Sequence, residues 1–244
     1  MKRLLMLAFL LMVTSSSPND VHMNPAGFQK IAIPCPGNLD NITTCPDTGC
    51  GPSLDPLLNR RKNIRFDKQT ATLISFSDIK KLPDPVLGYY IGGPREKLTR
   101  LGEGKKVTVV AFALIARKGS RETCNCSLIG TADTDSTVVL VEASGPPTLV
   151  TSERNSISAE LTPRVRLDHP GLSQAKLQPL IISAPNQALL VRVTGLLMFD
   201  SEHSTVRRLN RYNNWEIHPV FKLEYCPKGE CSATSDLNWI DLDR

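Results

Sequence analysis

Hydrophobic and polar positions divide this chain near residue 105. Ahead of that point, Pro18, Pro25, Pro34, Pro36, Pro46, Pro52 and Pro56 recur among Asn, Asp, Gly and Cys, and no apolar period survives such a density of breakers. The pattern predicts an irregular arm. Ser77-Asp78-Ile79-Lys80-Lys81-Leu82 has room for one or two helical turns, and the basic run from Leu57 to Asn63 reads as a solvated face. Beyond 105 the pattern changes. Val107 to Ala116 is β-rich and closes on Arg117-Lys118-Gly119-Ser120, and Thr137 to Glu142 is a second such run. Ile157 to Thr162 alternates apolar and polar, as a half-buried strand does. Leu172 to Ile182 suits a short amphipathic helix that Pro179 would truncate or kink. Two strong strands follow, over Ala188–Phe199 and Asn214–Tyr225.

The order of strands, helix, strand, strand predicts a mainly β fold: an OB-like five-stranded antiparallel barrel with one short helix, preceded by the irregular cysteine-bearing arm. A β-sandwich with an incidental helix is the competing architecture. Gly195, inside an apolar strand, fits a barrel corner or bulge.

The amino terminus has its own pattern. Lys2-Arg3, an apolar run from Leu4 to Val13 and the small residues Ser15 to Ser17 form the three parts of a cleavable secretion signal. The apolar run is too short for a bilayer core of about 30 Å, so no transmembrane anchor is expected. The organisation expected is therefore a signal over 1–17, the arm over 18–104, the barrel over 105–226 and a tail over 227–244. Net charge is +5 before the signal is removed. Losing Lys2 and Arg3 weakens it further, and a weak, dispersed positive charge gives no support for a nucleic-acid partner.

Seven cysteines follow the signal, and outside the cytoplasm disulfides are their default state. Cys226 and Cys231 flank Pro227-Lys228-Gly229-Glu230 and should close a local turn; Cys45 and Cys50 repeat that spacing around Pro46 and Gly49. Cys124 and Cys126 stand too close to bridge each other, and the odd count leaves one thiol over. Zinc thiolates are the alternative, but neither spacing is the usual knuckle.

Candidate chemistry centres on the last two strands. Period-two alternation sends Trp215 and Ile217 to one face and Glu216 and His218 to the other, where they can act as acid and base or share a divalent metal. The apolar pair should enter the core. Asp200, Glu202 and His203 open the polar connection between the strands and, with His218, are the metal candidates. Arg207, Arg208 and Arg211 in that connection, together with Arg164, are the anion- or ligand-binding candidates. Glu160 joins Glu216 and His218 as a catalytic candidate. Asp133 and Asp135 supply further carboxylates of the type a nuclease needs, without a nuclease spacing. No Gly-x-Ser-x-Gly turn and no phosphate-binding glycine loop is present.

Several of these segments occur together in an order that resembles a family of exported bacterial proteins. They are Cys124-Asn125-Cys126, Asp133-Thr134-Asp135, Glu160-Leu161-Thr162-Pro163-Arg164-Val165-Arg166, Val193 to His203, and Trp215-Glu216-Ile217-His218-Pro219-Val220. The resemblance spans about 105 to 225. It implies an OB-like domain and brings no activity with it. The family often carries a histidine just after the acidic pair, where this chain has Ser136-Thr137.

Two functions remain open at this level. The first is an exported binding or interaction module, its partner a polymer or protein outside the cytoplasm. The second is a metal-dependent, nuclease-like hydrolase using the Glu, His and Asp side chains. No organic cofactor is indicated, and a divalent metal is admissible. Convergence of Glu160, Asp200, Glu216 and His218 would favour the enzyme, and their scatter the module.

Overall fold

The computed structural model describes residues 30–85, 90–143, 153–202 and 211–244. The expected signal over 1–17, and His22, His203, Arg207 and Arg208, lie outside the described residues. In chain order the elements are β1 (Ile31–Ile33), β2 (Gly51–Leu54), α1 (Pro56–Lys62), β3 (Thr72–Leu73), α2 (Phe76–Lys80), α3 (Glu96–Leu101), β4 (Lys106–Lys118), β5 (Ser136–Glu142), β6 (Ile157–Leu161), α4 (Pro163–Arg166), α5 (Gln174–Ser183), β7 (Leu189–Phe199), β8 (Trp215–Cys226) and β9 (Ile240–Asp241).

Five of these close into a barrel in the order β4, β5, β6, β8, β7 and back to β4. The long β4 pairs antiparallel with β5 through its second half and with β7 through its first, so one strand serves both sides of the closure. Four contacts of the ring are antiparallel. The fifth, β6 with β8, is parallel through Ser158↔Glu216 and Ala159↔Ile217. Parallel neighbours need a long crossover, and the stretch holding α4, α5 and β7 supplies it. This is the five-stranded Greek-key closure of an OB barrel.

Alternation explains which side chains fill it. Val109, Ala111 and Ala113 of β4, Val138 and Leu140 of β5, Ile157, Ala159 and Leu161 of β6, and Trp215 and Ile217 of β8 share one buried cluster with Leu177 and Ile181 of α5. Trp215 is fully buried, meets Phe199 edge-on at 5.4 Å, and donates from its indole N–H to the Pro83 carbonyl at 2.7 Å. Gly195 sits at the shift in β7–β8 register, where an added Cβ would lie 2.4 Å from the Pro219 carbonyl oxygen. The two strands cross too closely there for any side chain. Pro179 lies inside α5 without ending it.

The arm is more ordered than its proline content predicts. α1 starts at Pro56 under an Asp55 cap whose carboxylate accepts from the Leu57 and Leu58 amides, both at 3.0 Å. The basic run is correspondingly not a wholly solvated face, because Asn59, Lys62 and Asn63 are buried. β3 adds to β4 in parallel, and β9 of the tail pairs with β8.

Three disulfides form: Cys35–Cys50, Cys45–Cys126 and Cys226–Cys231. The local turn at Cys226 is as expected, but the matching loop at Cys45 and Cys50 does not close on itself. The cause is the turn at Gly49 (φ +68°), which presses so tightly on the loop between β4 and β5 that a Cβ would overlap the Thr123 carbonyl. The approach brings Cys45 to Cys126 and leaves Cys50 for Cys35. Asn63 cements the contact by donating to the Asp47 and Cys124 carbonyls, both at 2.9 Å. Cys124 is the unpaired cysteine and is buried. Among the described residues no helix is long and apolar enough to cross a membrane.

Candidate functional site

Strand alternation that sends Ile157, Ala159, Leu161, Trp215 and Ile217 inward sends Ser158, Glu160, Glu216 and His218 to the outside of the barrel wall. Outward polar residues on a barrel normally meet water. Here they are buried, because α1 and the β4–β5 loop, tied to the arm by Cys45–Cys126, cover this part of β6 and β8. Farther along β8, Lys222 of the same strand is exposed. The cover leaves a cavity of about 370 Å³. Lys62 of α1, Glu122 of the β4–β5 loop, Glu160, Asp200, Arg211, Glu216 and His218 line it, and Arg117 and Lys118 at the end of β4 form part of its rim. It therefore lies where the β4–β5 and β7–β8 connections of an OB barrel usually meet their ligand.

The side chains form a connected network. Arg211 donates to Asp200 Oδ2 at 2.8 Å and to Glu216 Oε2 at 3.0 Å. The other oxygen of Glu216 is 3.0 Å from His218 Nδ1. With Glu216 held as a carboxylate by Arg211, Nδ1 is the donor, so in the neutral ring Nε2 carries a lone pair. Lys62 donates to Glu122 Oε2 at 2.9 Å, and the Cys124 thiol donates to the same oxygen at 3.3 Å.

Some of this cluster is unmatched. Among the described residues, both oxygens of Asp135, Oε2 of Glu160 and Nε2 of His218 are buried without a hydrogen-bond partner. His218 Nε2 stands 4.0 Å from Asp135 Oδ2, beyond hydrogen-bonding reach. The Asn125 carboxamide neighbours Asp135 but makes no hydrogen bond of ordinary geometry.

These environments move the acid strengths. Burial, and then the charge of Glu122, push Asp135 up to about 6. Burial raises Glu160 well above the usual carboxylate range, and the charges of Glu216, Asp135 and Glu122 add to it. The Cys124 thiol is raised by burial and then by Glu122 and Asp135. For Lys62 burial works in the opposite direction, but Glu122, Asp200 and Glu216 outweigh it and hold the ammonium above its ordinary value. Arg211 is raised too: Asp200 and Glu216 overcome its burial.

Several candidates from the sequence thus converge: Glu160, Asp200, Arg211, Glu216 and His218 share one cavity. Others do not. Arg164 does not line this cavity. Its guanidinium donates to the Cys45 and Pro46 carbonyls at 2.6 and 3.0 Å and pairs with Asp47, clamping the disulfide loop. Glu202 pairs with Lys30 at 2.8 Å. Among the described residues Asp200 and Glu202 do not group with His218: Arg211 engages Asp200, and the described carboxylates within 4 Å of His218 are Glu216 and Asp135. Sequence reasoning missed Lys62, Glu122 and Cys124. The odd cysteine was the one available signal, since an unpaired thiol among disulfides needs its own explanation.

No family model matches the chain, and no curated protein matches it. One solved structure with some backbone similarity is a putative aspartyl-tRNA synthetase from Leishmania major Friedlin, with a TM-score of 0.30, at 12% identity over 66% of this chain. The aligned part is 22% of that protein, so the chain spans less than a quarter of its length, and similarity at this level carries no inference.

Proposed function

We propose that this protein is an exported OB-barrel hydrolase whose active site is the covered cavity on the outside of β6 and β8. The observation that carries the reading is the convergence of Glu160, Asp200, Glu216 and His218 there, with one oxygen of Glu160 and one nitrogen of His218 left without a partner. A fold gains nothing by burying such groups unpaired. Active sites hold them because chemistry needs them bare.

Glu160 is the proton acceptor for an attacking water. Glu216 and Arg211 are positioning residues that hold His218 with its Nε2 turned to the cavity. The substrate class is a phosphoester, since the rim presents Arg117 and Lys118, whose side chains, among the described residues, reach only Glu153 and the Ile129 carbonyl in exposed contacts. Such contacts hold a cation weakly and leave it able to meet an anion. Three disulfides support folding outside the reducing cytoplasm, and the Lys2 to Ser17 segment supplies the export signal of this reading.

The test is hydrolysis of p-nitrophenyl phosphate and bis-p-nitrophenyl phosphate by the purified mature protein. Turnover of at least one ester is expected, and Glu160→Gln should lower it by about 10²–10⁴-fold, the usual weight of a positioned acid or base. Absence of turnover, or full activity in Glu160→Gln, overturns the reading. One observation favours the binding-module alternative: Lys62 and Arg211 are already engaged by carboxylates, so the interior has little free positive charge for a reacting phosphate. A melting-temperature rise with inert oligonucleotides or oligosaccharides, in protein that hydrolyses neither ester, would establish that alternative.

A further inference from the structure

The buried cluster at and behind the cavity has a charge problem that its own residues do not solve. The carboxylates of Glu122, Asp135, Glu160, Asp200 and Glu216 meet the cations of Lys62 and Arg211. Lys62 is taken by Glu122, and Arg211 by Asp200 and Glu216. Among the described residues neither Asp135 nor Glu160 is hydrogen-bonded to a cation; Lys62 acts on both only through space, and the ring of His218 stands 4.0 Å from Asp135.

The facing pair is the more telling. Asp135 is 2% exposed and His218 1% exposed. Asp135 Oδ2 and His218 Nε2, neither with a hydrogen-bond partner, face each other across 4.0 Å, and with Nδ1 donating to Glu216 the neutral ring turns an acceptor to the carboxylate. Two buried acceptors face one another at such a distance stably when something positive lies between them. Beside them, Cys124 Sγ and a Glu122 oxygen lie within 4.8 Å of each other and of an Asp135 oxygen. Cys124 is also the cysteine that disulfide formation leaves over, although its neighbour Cys126 is bridged.

We propose that Glu122, Cys124 and Asp135, with His218 standing 4.0 Å from Asp135 on the cavity side, bind a divalent transition-metal ion of the zinc type in the wall behind the cavity. The inference deepens the hydrolase reading and rests on it for the ion's role, but not for its binding. The donor set is one sulfur, one imidazole nitrogen and carboxylate oxygens. Thiolate and imidazole select zinc or cobalt over calcium and magnesium, which take oxygen. Tetrahedral zinc with nitrogen and oxygen bonds of about 2.0–2.2 Å sets such ligand atoms roughly 3.4 Å apart. The 4.0 Å between Asp135 and His218, and the spacing of up to 4.8 Å among the Glu122, Cys124 and Asp135 donors, both contract to that on binding.

The shell around His218 matches as well. A metal-binding histidine almost always donates its other ring nitrogen to a carboxylate or carbonyl, and Glu216 accepts that bond here, itself fixed by Arg211. On binding, the thiol proton leaves to solvent and the sulfur coordinates as thiolate. The two positive charges of the ion then face Asp135 and the thiolate directly. His218 and Glu122 line the cavity, so a bound ion would be open to substrate on that side.

The experiment is titration of the purified, metal-stripped protein, disulfides intact, with Co²⁺ alone, followed by visible and near-ultraviolet absorption. One equivalent should give the visible bands of low-coordinate cobalt together with a sulfur-to-cobalt charge-transfer band. Cys124→Ser should abolish the charge-transfer band. Asp135→Asn should keep that band and weaken cobalt affinity by at least tenfold; it removes a buried unpaired charge, so its fold does not depend on the Cys124 variant surviving. Glu216→Gln, a positioning change, should weaken affinity about ten- to a hundredfold. No spectral change in folded wild-type protein overturns the proposal, as do cobalt bands that Asp135→Asn leaves at full affinity. The readout needs no substrate: cobalt binding without ester turnover sinks the hydrolase alone, and turnover without cobalt binding sinks the metal site alone.

Discussion

Trp215 and His218 lie three residues apart on one strand and do opposite work. Trp215 fills the barrel against Phe199, and its indole N–H is satisfied by Pro83. Trp215→Ala removes both the packing and that bond, and it should cost about 3–5 kcal/mol, a large part of the roughly 5–15 kcal/mol that holds a domain folded. His218→Ala deletes a ring with one hydrogen bond and one bare nitrogen, and its loss also relieves nothing in the core. Thermal melts of the two variants should show a large drop for Trp215→Ala and a much smaller one for His218→Ala. Equal drops would mean that His218 is a structural member of the wall. Alternation made this division legible from Trp215, Glu216, Ile217 and His218 alone. It did not reveal that the polar face is buried, because the cover comes from residues far away in the chain.

At the scale of elements, the five barrel strands were legible nearly to the residue, since each is an apolar, β-rich run bounded by turn residues; β9 in the tail was not read. The arm was not. Its helices α1 and α3 are short, and α1 is set by a cap at Asp55 and a contact surface supplied by the loop after β4, which no local period encodes. The disulfides show the same limit: local spacing found Cys226–Cys231 and misled at Cys45, whose partner is 81 residues away. Their weights should differ accordingly. In the chain-entropy account a loop of that length contributes about 4–5 kcal/mol and the short Cys226 loop about 2. Denaturant midpoints of the Cys45→Ala/Cys126→Ala and Cys226→Ala/Cys231→Ala double variants should therefore fall in that order, and the reverse order would show that the arm is not anchored through Cys126. The β7–β8 hairpin carries a separate acid-sensitive device. Burial alone would raise Glu224, but hydrogen bonds from Arg192 and Lys222 outweigh it and hold its carboxyl below the usual range. A depressed folded pKa gives stability that is present above the unfolded value of about 4.3 and is lost as pH falls through the folded value. Glu224→Gln should flatten the acid limb of the melting-temperature profile below about pH 4.3, and an unchanged limb would assign acid unfolding elsewhere.

For the molecule as a whole, the fold and the cavity stand in tension. The barrel is a consistent apolar core, while the cavity on its outer wall gathers the carboxylates of Glu122, Glu160, Asp200 and Glu216, with Asp135 buried behind them, under a disulfide-tied cover. Five carboxylates under a cover cost stability, and stability given up at one place in an otherwise consistent fold marks function. Export belongs to the same scale: amino-terminal sequencing of secreted material should begin between about Ser16 and Asp20, and a mature chain still beginning at Met1 would remove the compartment that the disulfides need. The most direct test of the central claim is the melting temperature of metal-stripped Glu160→Gln against wild type from pH 8 down to pH 4, with ester turnover measured on the same preparations before stripping. A carboxyl whose folded pKa is raised gives stability that is present below its unfolded value of about 4.3 and lost as pH rises through the folded value. Glutamine keeps the shape without the charge, so the variant should melt higher than wild type near pH 8, lose that advantage toward pH 4, and be inactive. A variant that melts lower at pH 8 and turns over ester like the wild type would show that Glu160 supports the fold and that the covered cavity is not an active site.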